Sequence, residues 1–153
     1  MHTPNMIQRF LLRLWAWWDT LFQPQDELIG AWGERWAARY LLLSGCRILA
    51  RNIHPVRHGE LDIIARQWGK TRFVEVKTRR NETVGRPLDA VNHQKRLNIR
   101  RCATAWLSQH HLLGTSHLYR FDVIEVIGMP KDGVPIIRWI PGINMDETPH
   151  PEI

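Results

Sequence analysis

Cysteine is nearly missing from this chain: Cys46 and Cys102 are the only two in 153 residues. They stand too far apart for any metal-ligand spacing, and both sit in apolar-periodic segments. Buried free thiols in a reducing compartment are therefore expected rather than a disulfide framework, and with them a cytoplasmic location. A long apolar run is missing too. The most apolar segment, Ile7 to Phe22, is interrupted by Arg9, Arg13 and Asp19. It falls short of the roughly 20 apolar residues a membrane span needs and carries no small-residue cleavage site of the signal-peptide kind. Acidic residues are in deficit, with 15 Asp and Glu against 21 Lys and Arg, a net charge of +6. That balance favours a polyanionic partner, nucleic acid or an anionic membrane surface, without choosing between them. There is no internal repeat.

What is present reads as one α/β domain with an extension at each end. Residues 1–25 form a Trp-rich amphipathic extension, with Leu11, Leu14, Trp15, Trp18 and Phe22 at helical spacing. Such a helix packs on its own domain, on a second copy, on another protein or on a membrane surface. Gln23-Pro24-Gln25 breaks it. The main domain runs over residues 26–141, and residues 142–153, acidic and bearing proline, are expected to be disordered. Helices are expected from Asp26 to Ser44, stopped by Gly45, and from Leu88 to His111; strands from Arg47 to Arg51, Tyr119 to Ile127 and Val134 to Ile140. In the first of these helices Gly30, Glu34, Ala37 and Leu41 share a stripe with Gly33 beside it, so small residues let it approach a sheet closely and carry Glu34 along. On the second, Leu88, Asn92, Lys95, Cys102, Ala103 and Trp106 cluster about Ile99 on the core side. Gln94 lies further round the wheel, and Arg96, Arg100 and Arg101 lie away from that face.

The rest is organised around a hairpin. Leu61 to Ala65 and Arg72 to Lys77 alternate as strands, and Gln67-Trp68-Gly69-Lys70 supplies the turn. Period-two alternation puts Asp62 on one face with Glu60 and Ile64, and Glu75 on one face with Phe73 and Lys77. Charges interleaved with Leu61, Ile63, Ile64, Val74 and Val76 belong to strands sunk in a core. A buried carboxylate pair there costs several kcal/mol unless a cation or a chemical task accounts for it. With a phosphodiester in the cleft, Asp62 and Glu75 could hold Mg²⁺ or Mn²⁺ through hard oxygens, helped by the backbone carbonyl of Val76. The ion would stabilise charge on the phosphorane and acidify a water. Lys77 would orient that water, Glu34 would take a second cation or its water, and Lys95 would grip the neighbouring phosphate. The loop after Lys77, with Arg79, Arg80 and Arg86, supplies a basic rim to which Gln94 adds a polar contact. Asp122, two steps from Arg120, reads as half of a structural ion pair.

The blocks Gly30-x-x-Gly33-Glu34, Leu49-x-Arg51-Asn52, Gly59-Glu60-x-Asp62-Ile63-Ile64, Phe73-Val74-Glu75-Val76-Lys77-Thr78-Arg79 and Arg120-Phe121-Asp122-Val123-Ile124 resemble the signatures of the YraN family. These are bacterial proteins related to the archaeal Holliday-junction resolvases. The resemblance covers roughly residues 26–128. It implies a restriction-endonuclease-like fold, a mixed sheet flanked by helices in the order α-β-β-β-α-β-β, and a metal-dependent nuclease motif falling on Asp62, Glu75 and Lys77, with Glu34 matching the helix glutamate of resolvase-like members. The expectation is an endonuclease acting on DNA, branched or structured DNA included, with no small-molecule cofactor. Two centres, hence a homodimer, would be needed to cut both strands. The rival readings are a non-catalytic nucleic-acid-binding protein on the same fold, and an adaptor docked to a membrane or partner through its first helix.

Overall fold

A computed structural model describes residues 3–22, 29–82, 93–112 and 118–144, the side chains of 18–22 excepted. The elements run α1 (Met6–Phe22), α2 (Ile29–Leu43), β1 (Arg47–Ile53), β2 (Leu61–Gln67), β3 (Lys70–Arg79), α3 (His93–Gln109), β4 (Tyr119–Ile127) and β5 (Ile136–Ile140), with a single 3-10 turn at Pro130–Asp132 before β5. The five strands lie in the order β1-β2-β3-β4-β5, every neighbouring pair antiparallel except the parallel pair β3 and β4. That parallel pair is the one joined through α3, as a crossover requires. This is the mixed α/β arrangement that the sequence led us to expect. The expected helix starts at 26–28 and 88–92, the loop over 83–87 and the tail over 145–153 lie outside the described residues.

The β2–β3 turn forms where expected, with both Trp68 and Gly69 at positive φ, the backbone geometry of a two-residue hairpin loop. Strand alternation then divides the core in two. One face of the sheet, with Ile63, Ala65, Val74, Ile124, Val126 and Ile137, packs under Trp36, Ala37 and Leu41 of α2. The other, with Ile64, Phe73 and Val123, packs under Ile99, Cys102, Ala103 and Trp106 of α3. Both cysteines are buried and free, as expected, and burial pushes the Cys46 thiol up to about 11.

α1 begins with a reciprocal cap. Asn5 Oδ1 accepts from the Gln8 N–H and Gln8 Oε1 accepts from the Asn5 N–H, each at 2.9 Å. The Gln8 amide also donates to the Leu43 carbonyl at 3.2 Å, which ties the start of α1 to the end of α2. Leu12 fills the core beside α2, and the Arg39 guanidinium lies between Trp15 and Trp36, 5.2 and 5.3 Å from the two rings.

Three local expectations change. Gly30 is exposed and a Cβ there would meet nothing within 4 Å, so the close approach belongs to Gly33 alone. Arg96 is buried rather than part of an outer basic surface. Position on the wheel fixes the direction of a side chain from the helix axis, whereas its burial depends on what packs there. Asp122 is a structural ion-pair residue as expected, but its partner is Arg72, at 2.8 Å, and not the exposed Arg120. The parallel register sets Arg72 opposite Arg120, so either arginine has the spacing, and only Arg72 shares the burial of Asp122. Trp139 Nε1 and the Gly142 N–H complete the cage around that carboxylate at 3.0 and 2.9 Å.

Candidate functional site

The site begins where the β2–β3 ladder ends. Pairing runs from Gln67↔Lys70 to Ile63↔Val74 and stops there. Beyond it the strands no longer exchange backbone bonds, and the Val76 N–H is taken by the Asp62 side chain, whose Oδ2 accepts at 2.7 Å. Asp62 and Glu75 are 8% and 4% exposed, on the face covered by α3. Glu75 Oε1 gathers two ammonium groups, Lys77 Nζ from its own strand at 2.9 Å and Lys95 Nζ from α3 at 3.3 Å. The expected convergence of Asp62, Glu75, Lys77 and Lys95 is therefore a geometric fact. It arises because i and i+2 on β3 share a face and because α3 lies on that same face.

Electrostatics separates the members. Burial, and then the neighbouring charge of Glu75, push Asp62 up to about 7 against the hydrogen bond from Val76 and the charge of Lys95, with Glu34 adding to the rise. Burial alone would pull Lys95 down, but Glu75 and Asp62 outweigh it and leave the ammonium raised. Two crowded carboxylates, buried side by side on one face of the sheet, are the hard-oxygen donor chemistry a divalent ion of the Mg²⁺ type suits. Among the described residues no three acidic, histidine or cysteine side chains form a ready-made ligand set. Asp62 and Glu75 supply two donors, and further oxygens would come from the Val76 carbonyl or from water.

Glu34 reaches this region from the opposite layer. α2 sits on the other side of the sheet, yet Gly33 meets the end of β3 so closely that a Cβ there would lie 1.9 Å from Thr78 Oγ1. That contact holds the first turns of α2 beside the opened strands. Glu34 is half-buried, is felt by Asp62, and keeps a buried Oε2 with no hydrogen-bond partner among the described residues. On the α3 side the close approach is at Gly59, where a Cβ would fall 2.4 Å from Cys102 Sγ. It lets the loop before β2 nest against α3, and His54, His58, Glu60, Lys95 and Asn98 then line a cavity beside the carboxylates.

The expected rim is less uniform. Arg80 is exposed just past β3, whereas Arg79 is turned inward to Glu125 Oε1 at 3.6 Å. Gln94 is exposed and donates to Asn98 Oδ1 at 3.4 Å, and Arg86 lies outside the described residues. Sequence reasoning passed over Glu125, which is 4% exposed and stands in register between Lys77 of β3 and Arg138 of β5. Parity gives only its side: Glu125 is two residues from Val123, on the face that α3 covers, and its burial follows from β4 lying inside a sheet covered on both faces.

The uncharacterised protein family UPF0102 matches residues 33–126, from the glycine that meets Thr78 to the end of β4. A UPF0102 protein of Nocardia farcinica is 47% identical over 104 residues, 68% of this chain and 80% of its own. One from Acidothermus cellulolyticus is 40% identical over 124 residues, 76% of this chain and 92% of its own. Another from Clostridium acetobutylicum is 45% identical over 102 residues, 67% and 81%. The match takes in Glu34, Asp62, Glu75, Lys77 and Lys95 and leaves α1 outside, and on this measure the chain belongs to the UPF0102 family.

Proposed function

We propose that this chain is a metal-dependent nuclease hydrolysing DNA phosphodiesters, with branched or structured DNA as the substrate class that its resolvase-like resemblance favours. The observation that carries the reading is Asp62, buried beside Glu75 and pushed up to about 7 by that burial first and by the charge of Glu75 second. Such an arrangement is costly to fold and is found where a group has a task. Asp62 and Glu75 would hold Mg²⁺ or Mn²⁺, with the Val76 carbonyl beside them. When bound, the ion supplies Lewis-acid stabilisation of the phosphate at its most charged and makes water a better nucleophile. The chain's own amines do the rest. Lys77 and Lys95 both donate to one oxygen of Glu75, so an arriving phosphate can draw one of them away without leaving Glu75 uncompensated. Lys95, which lies in the wall of the histidine-lined cavity, is the one placed to meet the substrate, while Lys77 stays to orient water. Glu34, with a buried oxygen that no described residue engages, would accept a hydrogen bond from that water.

One observation supports a non-catalytic nucleic-acid-binding reading: Glu75 is already neutralised by two lysines, and among the described residues no three acidic, histidine or cysteine side chains form a ligand set. A cleavage assay separates the two. Duplex, single-stranded and four-way DNA are incubated with Mg²⁺ or Mn²⁺ and with wild type, Asp62→Asn or Lys77→Ala. The nuclease reading expects cleavage that falls at least about 100-fold in each variant, the scale of a lost catalytic group. Activity equal in all three proteins removes it.

A further inference from the structure

α1 carries more apolar surface than its contact with α2 covers. At about 100° per residue, Met6, Trp17, Phe10, Leu14 and Ile7 fall within a single arc about 100° wide. All five are exposed, Met6 by 84%, Ile7 by 69% and Phe10 by 62%. Leu12, on the far side of the helix, is the residue that enters the core. The exposed stripe is bordered on one edge by Arg13 and Arg9, both exposed, and no acidic residue occurs in the sequence before Asp19. An outward apolar arc of this size is beyond the scattered exposed side chains of an ordinary surface.

The charge on its border says what covers it. A second copy would be a poor partner. When two such helices pack antiparallel about a two-fold axis, the Arg9 and Arg13 edge of one meets the same edge of the other, with no carboxylate between them. Anionic phospholipid headgroups satisfy both demands at once, phosphates for the guanidinium groups and hydrocarbon just beneath for the stripe. No helix among the described residues is long and apolar enough to cross a membrane, so the contact is with the surface. We propose that α1 is an interfacial anchor that seats the protein on an anionic bilayer, apolar stripe down and Arg9 and Arg13 at the headgroups. The carboxylate pair is on the α3 side of the sheet and α1 is on the α2 side, so anchoring leaves the candidate site open to solution. The inference stands independently of the nuclease reading.

The test is flotation of the full-length protein with vesicles of phosphatidylcholine alone and of phosphatidylcholine with phosphatidylglycerol. Wild type should float with the anionic vesicles at low salt, less with the neutral ones, and be released by added salt. Phe10→Glu and Ile7→Glu, each losing a buried apolar side chain's transfer energy, should lower partitioning about ten-fold or more. Leu97→Glu, the same change at an exposed apolar residue of α3, should leave it unaltered. Far-UV circular dichroism checks that each variant keeps its helices. Absence of wild-type flotation with anionic vesicles overturns the proposal. So does Phe10→Glu floating like wild type, or stripe variants that dissociate a dimer in sedimentation while vesicle binding is nil.

Discussion

Asp62 concentrates the physical tension of the molecule in one carboxyl group. Its value moves from 3.8 to about 7 on folding, so between those limits the folded state holds a proton that the unfolded chain gives up. The native state binds more protons there, and stability must fall as pH rises from about 4 to about 7, the reverse of the usual paired carboxylate. Thermal melts in a chelator should show that decline, and Asp62→Asn should flatten it, because the amide oxygen can still accept from the Val76 N–H while the charge is gone. Mg²⁺ at neutral pH should raise the melting temperature of wild type by several degrees and leave Asp62→Asn unmoved. A wild-type profile flat with pH, or an equal Mg²⁺ shift in both proteins, would contradict the account. At this scale the sequence was informative: parity along β2 and β3 was enough to bring Asp62, Glu75 and Lys77 together. It did not reveal that Glu75 answers two lysines while Asp62 answers a backbone N–H, because those distances depend on where β2 leaves β3.

Among the elements, the parallel pairing of β3 and β4 joins the two halves of the sheet, and the Asp122 cage locks it. Arg72 comes from β3, Trp139 from β5 and the Gly142 N–H from just beyond, all converging on one fully buried carboxylate. Asp122→Ala would leave the buried Arg72 guanidinium, itself stacked 4.9 Å from the Trp139 ring, without its carboxylate. A loss of about 3–5 kcal/mol in urea unfolding is expected. Replacing Arg72 and Asp122 together by Met and Leu should cost much less, since it leaves no orphaned charge. Comparable losses for the single and double variants would mean that the cage is not the cause. The helices illustrate how far periodicity reaches. The α3 wheel placed Ile99, Cys102, Ala103 and Trp106 correctly, whereas Arg96 and Gly30 were misplaced, since burial near helix ends is decided by what lies across from them.

Taken whole, the protein has a sheet with two unlike sides. α2 and α1 cover one, and α3, the carboxylates and the histidine-lined cavity occupy the other. If DNA approaches the second side, phosphate contacts should release counterions, and affinity should fall steeply with salt. Fluorescence anisotropy of labelled four-way DNA should give a log-log slope that Arg80→Ala and Lys95→Ala each reduce by about one. Arg79→Ala should change it less, because that guanidinium is engaged with Glu125. Equal slopes for all three variants would place the DNA elsewhere.

The linear chain by itself determined the alternation of strands, the turn at Trp68-Gly69, the buried thiols and the side of each strand on which an acidic residue stands, because these follow from periods of two and 3.6 residues acting locally. Only the tertiary structure decided which arginine satisfies Asp122, that Glu125 is buried beside Lys77, that Glu34 approaches from the opposite layer, and that an apolar arc of α1 is exposed. Each of these depends on the distance between elements remote in sequence, and that distance is set by packing contacts such as Gly33 on Thr78 and Gly59 on Cys102, which no local pattern encodes.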